Sequence, residues 1–173
     1  VYIHSYDSLK LLKKNTHKHA VTTGFISNND VYSADEGGQI GIFRADTSDF
    51  NLRSVSSFSI EKIILFEDRI YIASDDGRLY VQHLANRLGR TRALYSHDGP
   101  VKDITINKAQ QLLFSIGYDS NIICYDLISE RIILEYKDSS LWGKAIAFNP
   151  HDSLLFTSNN YDFPKNYSFK DMT

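Results

Sequence analysis

The chain has 173 residues, with 19 Lys and Arg against 21 Asp and Glu, a formal charge of −2, and 42% hydrophobic residues. That balance excludes a disordered or collagen-like chain and argues against bulk electrostatic binding to nucleic acid. The lone Cys124 excludes a disulfide framework and a multi-cysteine zinc site, and no run of about 18 apolar residues offers a membrane helix.

Residues 1–5 read as strand from the first position, with no signal-peptide pattern before them, and 9–13 read as a second strand. Next come short runs of β-branched and aromatic residues, broken by Asn, Asp, Gly and Ser, with little helical periodicity. They recur in a fixed order. Residues 31–34 pass through Asp35-Glu36-Gly37-Gly38 into 39–43, and 70–74 pass through Asp75-Asp76-Gly77 into 78–81. Residues 113–115 then pass through Gly117-Tyr118-Asp119-Ser120 into 121–125. From Gly38 to Gly77 is 39 residues and from Gly77 to Ser120 is 43. A period of about 40–45 residues with four strands per unit predicts an all-β propeller of four-stranded antiparallel blades.

One unit carries a resemblance. The stretch from His97-Asp98-Gly99-Pro100-Val101 to Tyr125-Asp126-Leu127 resembles a complete repeat of the WD-repeat β-propeller family. His97 stands in the loop before the first strand, Asp119 in the turn between the second and third, and Tyr125-Asp126 where that family has Trp-Asp. Phe148-Asn149-Pro150-His151-Asp152 is similar to the family's Phe-Ser-Pro-Asp-Gly turn. Elsewhere the pattern is more degenerate, with Phe43-Arg44 and Gln82-His83 in place of the dipeptide. The resemblance implies that His97, Ser115, Asp119 and Tyr125 form a hydrogen-bonded chain tying one blade together. Buried polar groups of this kind are costly unless mutually satisfied. A catalytic-triad reading of the same residue types is weaker, because the repeat already explains their spacing.

Counting strands predicts one propeller segment of about four blade-lengths. Residues 1–14 end a preceding blade, 19–55, 56–95 and 97–136 form blades, and 138–173 form an incomplete one with its third strand near 166–170. Two closures compete. The chain is a segment of a larger ring, as the family's usual seven or eight blades imply. Alternatively, its N-terminal strands complete the last blade to close a four-bladed ring, which removes exposed edges.

Candidate sites are few. There is no phosphate loop, metalloprotease His pair or nucleophile elbow. Asp75-Asp76-Gly77 starts like a calcium loop but lacks the later ligands, so it reads as a turn. His17 and His19 lack a third metal ligand, and one of them reads as the loop His of the first full blade. Cys124 reads as a small buried hydrophobe. Arg87, Arg90 and Arg92 form one basic cluster, and Lys10, Lys13, Lys14 and Lys18 another. Arginine forks suit an acidic or phosphorylated partner segment, although charged edges also protect open sheets. Trp142, the only tryptophan, precedes the first strand of the last blade and reads either as a binding-surface residue or as packing. The Tyr and Phe, mostly at alternating strand positions, read as core. The expected function is a non-catalytic protein–protein interaction scaffold within a larger intracellular protein or complex, in cytoplasm or nucleus, with no cofactor, no metal and no membrane insertion. The alternative is an RNA- or ribonucleoprotein-associated factor using the basic clusters, whose affinity would fall steeply with salt.

Overall fold

In the computed structural model the described residues are 2–4, 11–14, 16–44, 46–47, 49–84 and 91–169; their regular elements are β-strands, apart from a helical Phe169. Strands β1 (Tyr2–His4) and β2 (Leu11–Lys14) pair only with each other. The first large sheet holds β3 (Val21–Ser27), β4 (Asp30–Asp35), β5 (Gln39–Phe43) and β6 (Phe50–Ser54). In the second are β7 (Ile60–Phe66), β8 (Arg69–Ser74), β9 (Arg78–His83) and β10 (Arg92–Ser96). β11 (Val101–Asn107), β12 (Leu112–Gly117), β13 (Asn121–Asp126) and β14 (Arg131–Lys137) make the third. The fourth contains β15 (Gly143–Asn149), β16 (Leu154–Asn159) and β17 (Lys165–Ser168). Every pairing is antiparallel and joins strands adjacent in sequence, so each sheet is a meander.

Local chemistry sets the turns. Asn28 and Asn29, with φ of 50° and 64°, close the β3–β4 hairpin. Two consecutive left-handed residues give the turn whose twist suits a tight hairpin, and Asn tolerates that region. Between the second and third strands of each full sheet one residue turns left-handed: Gly38 at 77°, Gly77 at 84° and Ser120 at 66°. The first strand of every large sheet also bears a register shift at its start, at Val21/Thr23, Ile60/Lys62, Val101/Asp103 and Gly143/Ala145. After that shift the side chains of these strands alternate between the two faces of the sheet, and in β7 and β11 both faces meet a neighbouring sheet.

The sheets stack in chain order, β3 against β7, β7 against β11 and β11 against β15. Three apolar clusters fill the joints. Tyr32, Ala34, Ile40 and Ile42 meet Ile60, Ile63, Ile70 and Ile72 in the first. Tyr71, Ala73, Leu79 and Val81 meet Val101, Ile104 and Leu113 in the second, and Phe114, Ile116 and Ile122 meet Ile146 and Leu155 in the third. Polar clips on the first strands cross the same joints. Thr22 Oγ1 donates to the Ile60 carbonyl. Lys62 Nζ lies 3.7 Å from Asp103, whose carboxylate accepts the Ile146 amide at 2.9 Å.

The result is an open arc of about four blades. The closed four-bladed ring does not form, because β1 and β2 give no strand to the fourth sheet, which supplies its own third strand. That third strand begins at Lys165, slightly earlier than the alternation at 166–170 suggests. No helix is long and apolar enough to cross a membrane, among the described residues.

Candidate functional site

The third sheet builds a four-residue polar chain. His97 lies in the link between β10 and β11, and its Nδ1 sits 3.0 Å from both carboxylate oxygens of Asp119. Its Nε2 is 2.8 Å from Ser115 Oγ, which is 2.8 Å from the hydroxyl of Tyr95. With Nδ1 protonated toward the carboxylate, the bonds run in one direction: Tyr95 to Ser115, Ser115 to His97, His97 to Asp119. Asp119 also accepts from the amides of Asn121 and Asp98, at 3.2 and 3.1 Å. Burial alone would raise the Asp119 carboxyl, but His97 and then Asn121 hold it down to about 2. The hydroxyl meeting Ser115 thus belongs to Tyr95, where the family resemblance put Tyr125. Tyr125 instead stacks on Tyr95, ring centres 5.1 Å apart. The ring of Tyr95 comes from the outer strand of the preceding sheet, so the chain spans a joint rather than one blade.

The first sheet repeats the device. His17 Nδ1 is 2.7 Å from Asp35, and His17 Nε2 is 2.8 Å from Ser33 Oγ. His17 is therefore the loop histidine of the first full sheet. Its carboxylate comes from a different place in the turn. Asp35 stands three residues before the left-handed Gly38, whereas Asp119 stands one before the left-handed Ser120. Each vacated position is a glycine. A Cβ on Gly37 would strike the His19 ring, and one on Gly117 would come 2.6 Å from the Pro100 carbonyl oxygen and 3.3 Å from His97 Nδ1. A further glycine, Gly41, makes room for His17, since a Cβ there would lie 2.7 Å from Nε2.

The second and fourth sheets lack the histidine. Ser56 occupies its position, four residues before β7, and donates to Asp76 at 3.3 Å. Tyr80, at the place of Gly41, fills the vacated space and gives its hydroxyl to the same carboxylate. In the fourth sheet Asp138, in the link before β15, accepts from Ser140 Oγ at 2.6 Å, Lys165 Nζ at 2.9 Å and Tyr167 OH at 2.8 Å. Ser140 and Lys165 hold that carboxyl well below its ordinary range. These clusters fasten turns to links. Ser115 is fully buried beneath Tyr95, an arrangement that leaves its hydroxyl no room to meet a substrate.

The same end of the sheets, where turns meet links, carries an aromatic surface. Trp142 is 41% exposed and stacks on Tyr118 at 4.9 Å, with Tyr161 edge-on to it at 6.1 Å. Tyr161 and Phe163 are 84% and 85% exposed. Asn160 Nδ2 donates to the Tyr118 hydroxyl at 3.0 Å, and Lys102 Nζ stands 4.9 Å over the Tyr118 ring. Trp142 is thus a surface residue, and the reading of the aromatics as core fails for Tyr161 and Phe163. Both follow Asn159 and Asn160 in a turn, a place where strand alternation says nothing about burial.

The remaining candidates separate. Arg87 and Arg90 lie outside the described residues, as does Lys10. Arg92 pairs with Glu130 at 3.0 Å across the joint between the second and third sheets. Asp75 holds the Lys102 ammonium at 2.6 Å beside Glu61, and burial raises its carboxyl. Cys124 is buried, which pushes its thiol up to about 12. Among the described residues no group of three His, Cys, Asp or Glu is placed to hold a metal.

No family model matches the sequence. Among solved structures, the chain superposes on the computationally designed Ika4 protein with a TM-score of 0.77 at 15% identity, covering 90% of this chain and 95% of that one. On the computationally designed Ika8 protein the TM-score is 0.82 at 16% identity, over 99% of this chain and 53% of that one. On a chain of the mitotic checkpoint complex it is 0.82 at 15% identity, over 99% of this chain and 55% of that one. The chain therefore spans about half the length of the latter two. At such identities the likeness defines the fold alone: the stacked four-stranded meanders are the blades of a partial β-propeller.

Proposed function

We propose that the chain is a segment of a WD-repeat propeller acting as a non-catalytic protein-interaction scaffold within a larger intracellular protein or multi-subunit complex, like the assembly that one of its structural neighbours belongs to. The observation that carries the reading is the exposed aromatic surface of Trp142, Tyr161 and Phe163, set on a rigid base by the Tyr118 stack. Aromatic side chains anchored in this way supply large contact area at small entropic cost and dominate binding energy at many interfaces. The histidine networks support the WD-repeat part, since two sheets place His, Asp and Ser alike. The RNA alternative asks for exposed rings among free cations. Here the nearby Lys102 is already held by Asp75 and Glu61.

The test is cross-linking mass spectrometry on the native assembly, run with the wild-type chain and with Trp142→Ala/Tyr161→Ala/Phe163→Ala. The expected result is loss of the cross-linked neighbours from this end of the sheets while the circular dichroism spectrum is unchanged. Cross-links that survive the triple variant would retire the aromatic surface. Charge reversal at Arg87, Arg90 and Arg92 provides the comparison for an acidic or phosphorylated partner. Unchanged recovery there removes the basic cluster from the interface.

A further inference from the structure

The aromatic surface around Trp142 combines a fixed shape with free donors. The planes of Trp142 and Tyr161 meet at 62°, ring centres 6.1 Å apart, and form a corner that solvent reaches. One side chain sets both walls. Asn159 Oδ1 accepts the backbone amides of Trp142 and Tyr161, at 3.2 and 3.3 Å, while its Nδ2 donates to the Ser140 carbonyl at 2.7 Å. The Asn160 amide adds a bond to the Trp142 carbonyl at 3.2 Å, and Tyr118 stacks on the indole. The corner is therefore built before any partner arrives, which lowers the entropic cost of binding. Among the described residues neither the Trp142 indole N–H nor the Tyr161 hydroxyl has a hydrogen-bond partner. Two ammonium groups beside these rings are already neutralised. Lys102, over the Tyr118 ring, is held by Asp75 and Glu61, and Lys165, two residues beyond Phe163, by Asp138. Asp162 Oδ1 is engaged as well, accepting the Phe163 amide at 2.8 Å.

We propose, resting on the reading of this surface as the interface, that its occupant is a proline-rich segment in the polyproline II conformation. A pyrrolidine ring packs into the Trp142–Tyr161 corner. The indole N–H and the Tyr161 hydroxyl donate to carbonyls of the segment, and Phe163 receives its continuation. Such a segment has no internal hydrogen bonds, so its carbonyls stand free to accept. Where proline stands it also brings no N–H that the corner would have to satisfy. Its conformation is largely set before binding, so two preformed surfaces meet and little ordering entropy is lost. Uncharged donors on the corner thus face uncharged acceptors on the partner. An acidic or phosphorylated segment would instead find the Lys102 and Lys165 ammonium groups already taken.

The test is calorimetric titration of the full native chain with decaproline, with decalysine and decaglutamate as charged controls. Decaproline should bind and neither charged peptide should. Trp142→Ala should weaken decaproline binding at least about tenfold. Tyr161→Phe, which keeps the ring and removes only the hydroxyl, should weaken it about fivefold, the loss of one hydrogen bond. Tyr161 is 84% exposed, so this variant keeps the fold and decides alone if Trp142→Ala perturbs it. Decaproline that fails to bind, or that binds both variants as tightly as the unmodified chain, overturns the proposal. Binding of either charged peptide in its place, lost in Trp142→Ala, overturns it too. These failures leave the interface reading standing, since that reading fails only if the native cross-links survive the triple variant.

Discussion

In the first sheet the carboxylate that receives His17 sits three residues before the left-handed turn residue; in the third sheet the one that receives His97 sits one residue before it. The imidazole contacts are nevertheless the same, with Nδ1 on a carboxylate and Nε2 on a serine. What this fold preserves is a place in space for an acceptor between turn and link, not a residue at a fixed number. The second sheet extends the lesson, because there Ser56 and Tyr80 bring two hydroxyls to Asp76 where the other sheets bring one ring. Volume is exchanged too: His17 faces Gly41, whereas the smaller Ser56 coexists with Tyr80.

Substitution can break that equivalence at several depths. His97→Ala leaves Asp119 and Ser115 buried without their central partner, so it should cost about 3 kcal/mol in guanidinium unfolding. Ser56→Ala in the second sheet, where Tyr80 still serves the carboxylate, should cost about 1 kcal/mol. Equal losses would mean that Tyr80 does not stand in for Ser56 at the Asp76 carboxylate. Gly117→Ala tests whether the carboxylate could move within the turn. Its new Cβ meets the Pro100 carbonyl and the His97 ring, and about 2 kcal/mol of strain should appear as a lower melting temperature.

Acid should weaken the third sheet's cluster, as it should the fourth's, where the Asp138 carboxyl is also held low. The Asp119 carboxyl is held at about 2 in the fold, below its ordinary 3.8, so its contribution is complete above about pH 4. It is lost as pH falls from there toward 2, and melting temperature should drop across that window. His97→Ala removes the largest lowering partner and should flatten this acid limb. Tyr95→Phe then separates the two tyrosines, because it deprives Ser115 of a partner at a cost of about 1 kcal/mol. Tyr125→Phe should cost less, since the stacking ring survives. Smallest of all, Arg92→Ala at the exposed pair with Glu130 should change stability by less than about 0.5 kcal/mol, read from the same unfolding curves.

The sequence made the blades legible because their punctuation is local. Asp, Gly and Ser at the turns and β-branched runs between them impose strand length and period before any packing is known. His97, Ser115 and Asp119 were legible for the same reason, lying in one link, one strand and one turn. Asp35 was not, because its place in the turn differs from that of Asp119 and only the bond to His17 reveals the equivalence. Tyr95 was missed because it belongs to the neighbouring sheet, and a motif confined to one repeat cannot name a donor from another. The aromatic surface was half legible. Trp142 stood out by rarity, whereas Tyr161 and Phe163 hid among many aromatics whose strand alternation pointed inward.

The clips on the first strands have a mechanical consequence. Thr22 to the Ile60 carbonyl, Lys62 to Asp103 and Asp103 to the Ile146 amide all fasten neighbouring sheets along one line, as ribs are riveted at the base of a folding fan. Toward the outer strands, Arg69 and Arg92 reach Glu130 by exposed pairs that water weakens. Bending stiffness should therefore fall with distance from that line, the sheets splaying at their outer edges while their bases hold. Amide exchange slowing from β14 inward to β11 would be the visible sign of that gradient.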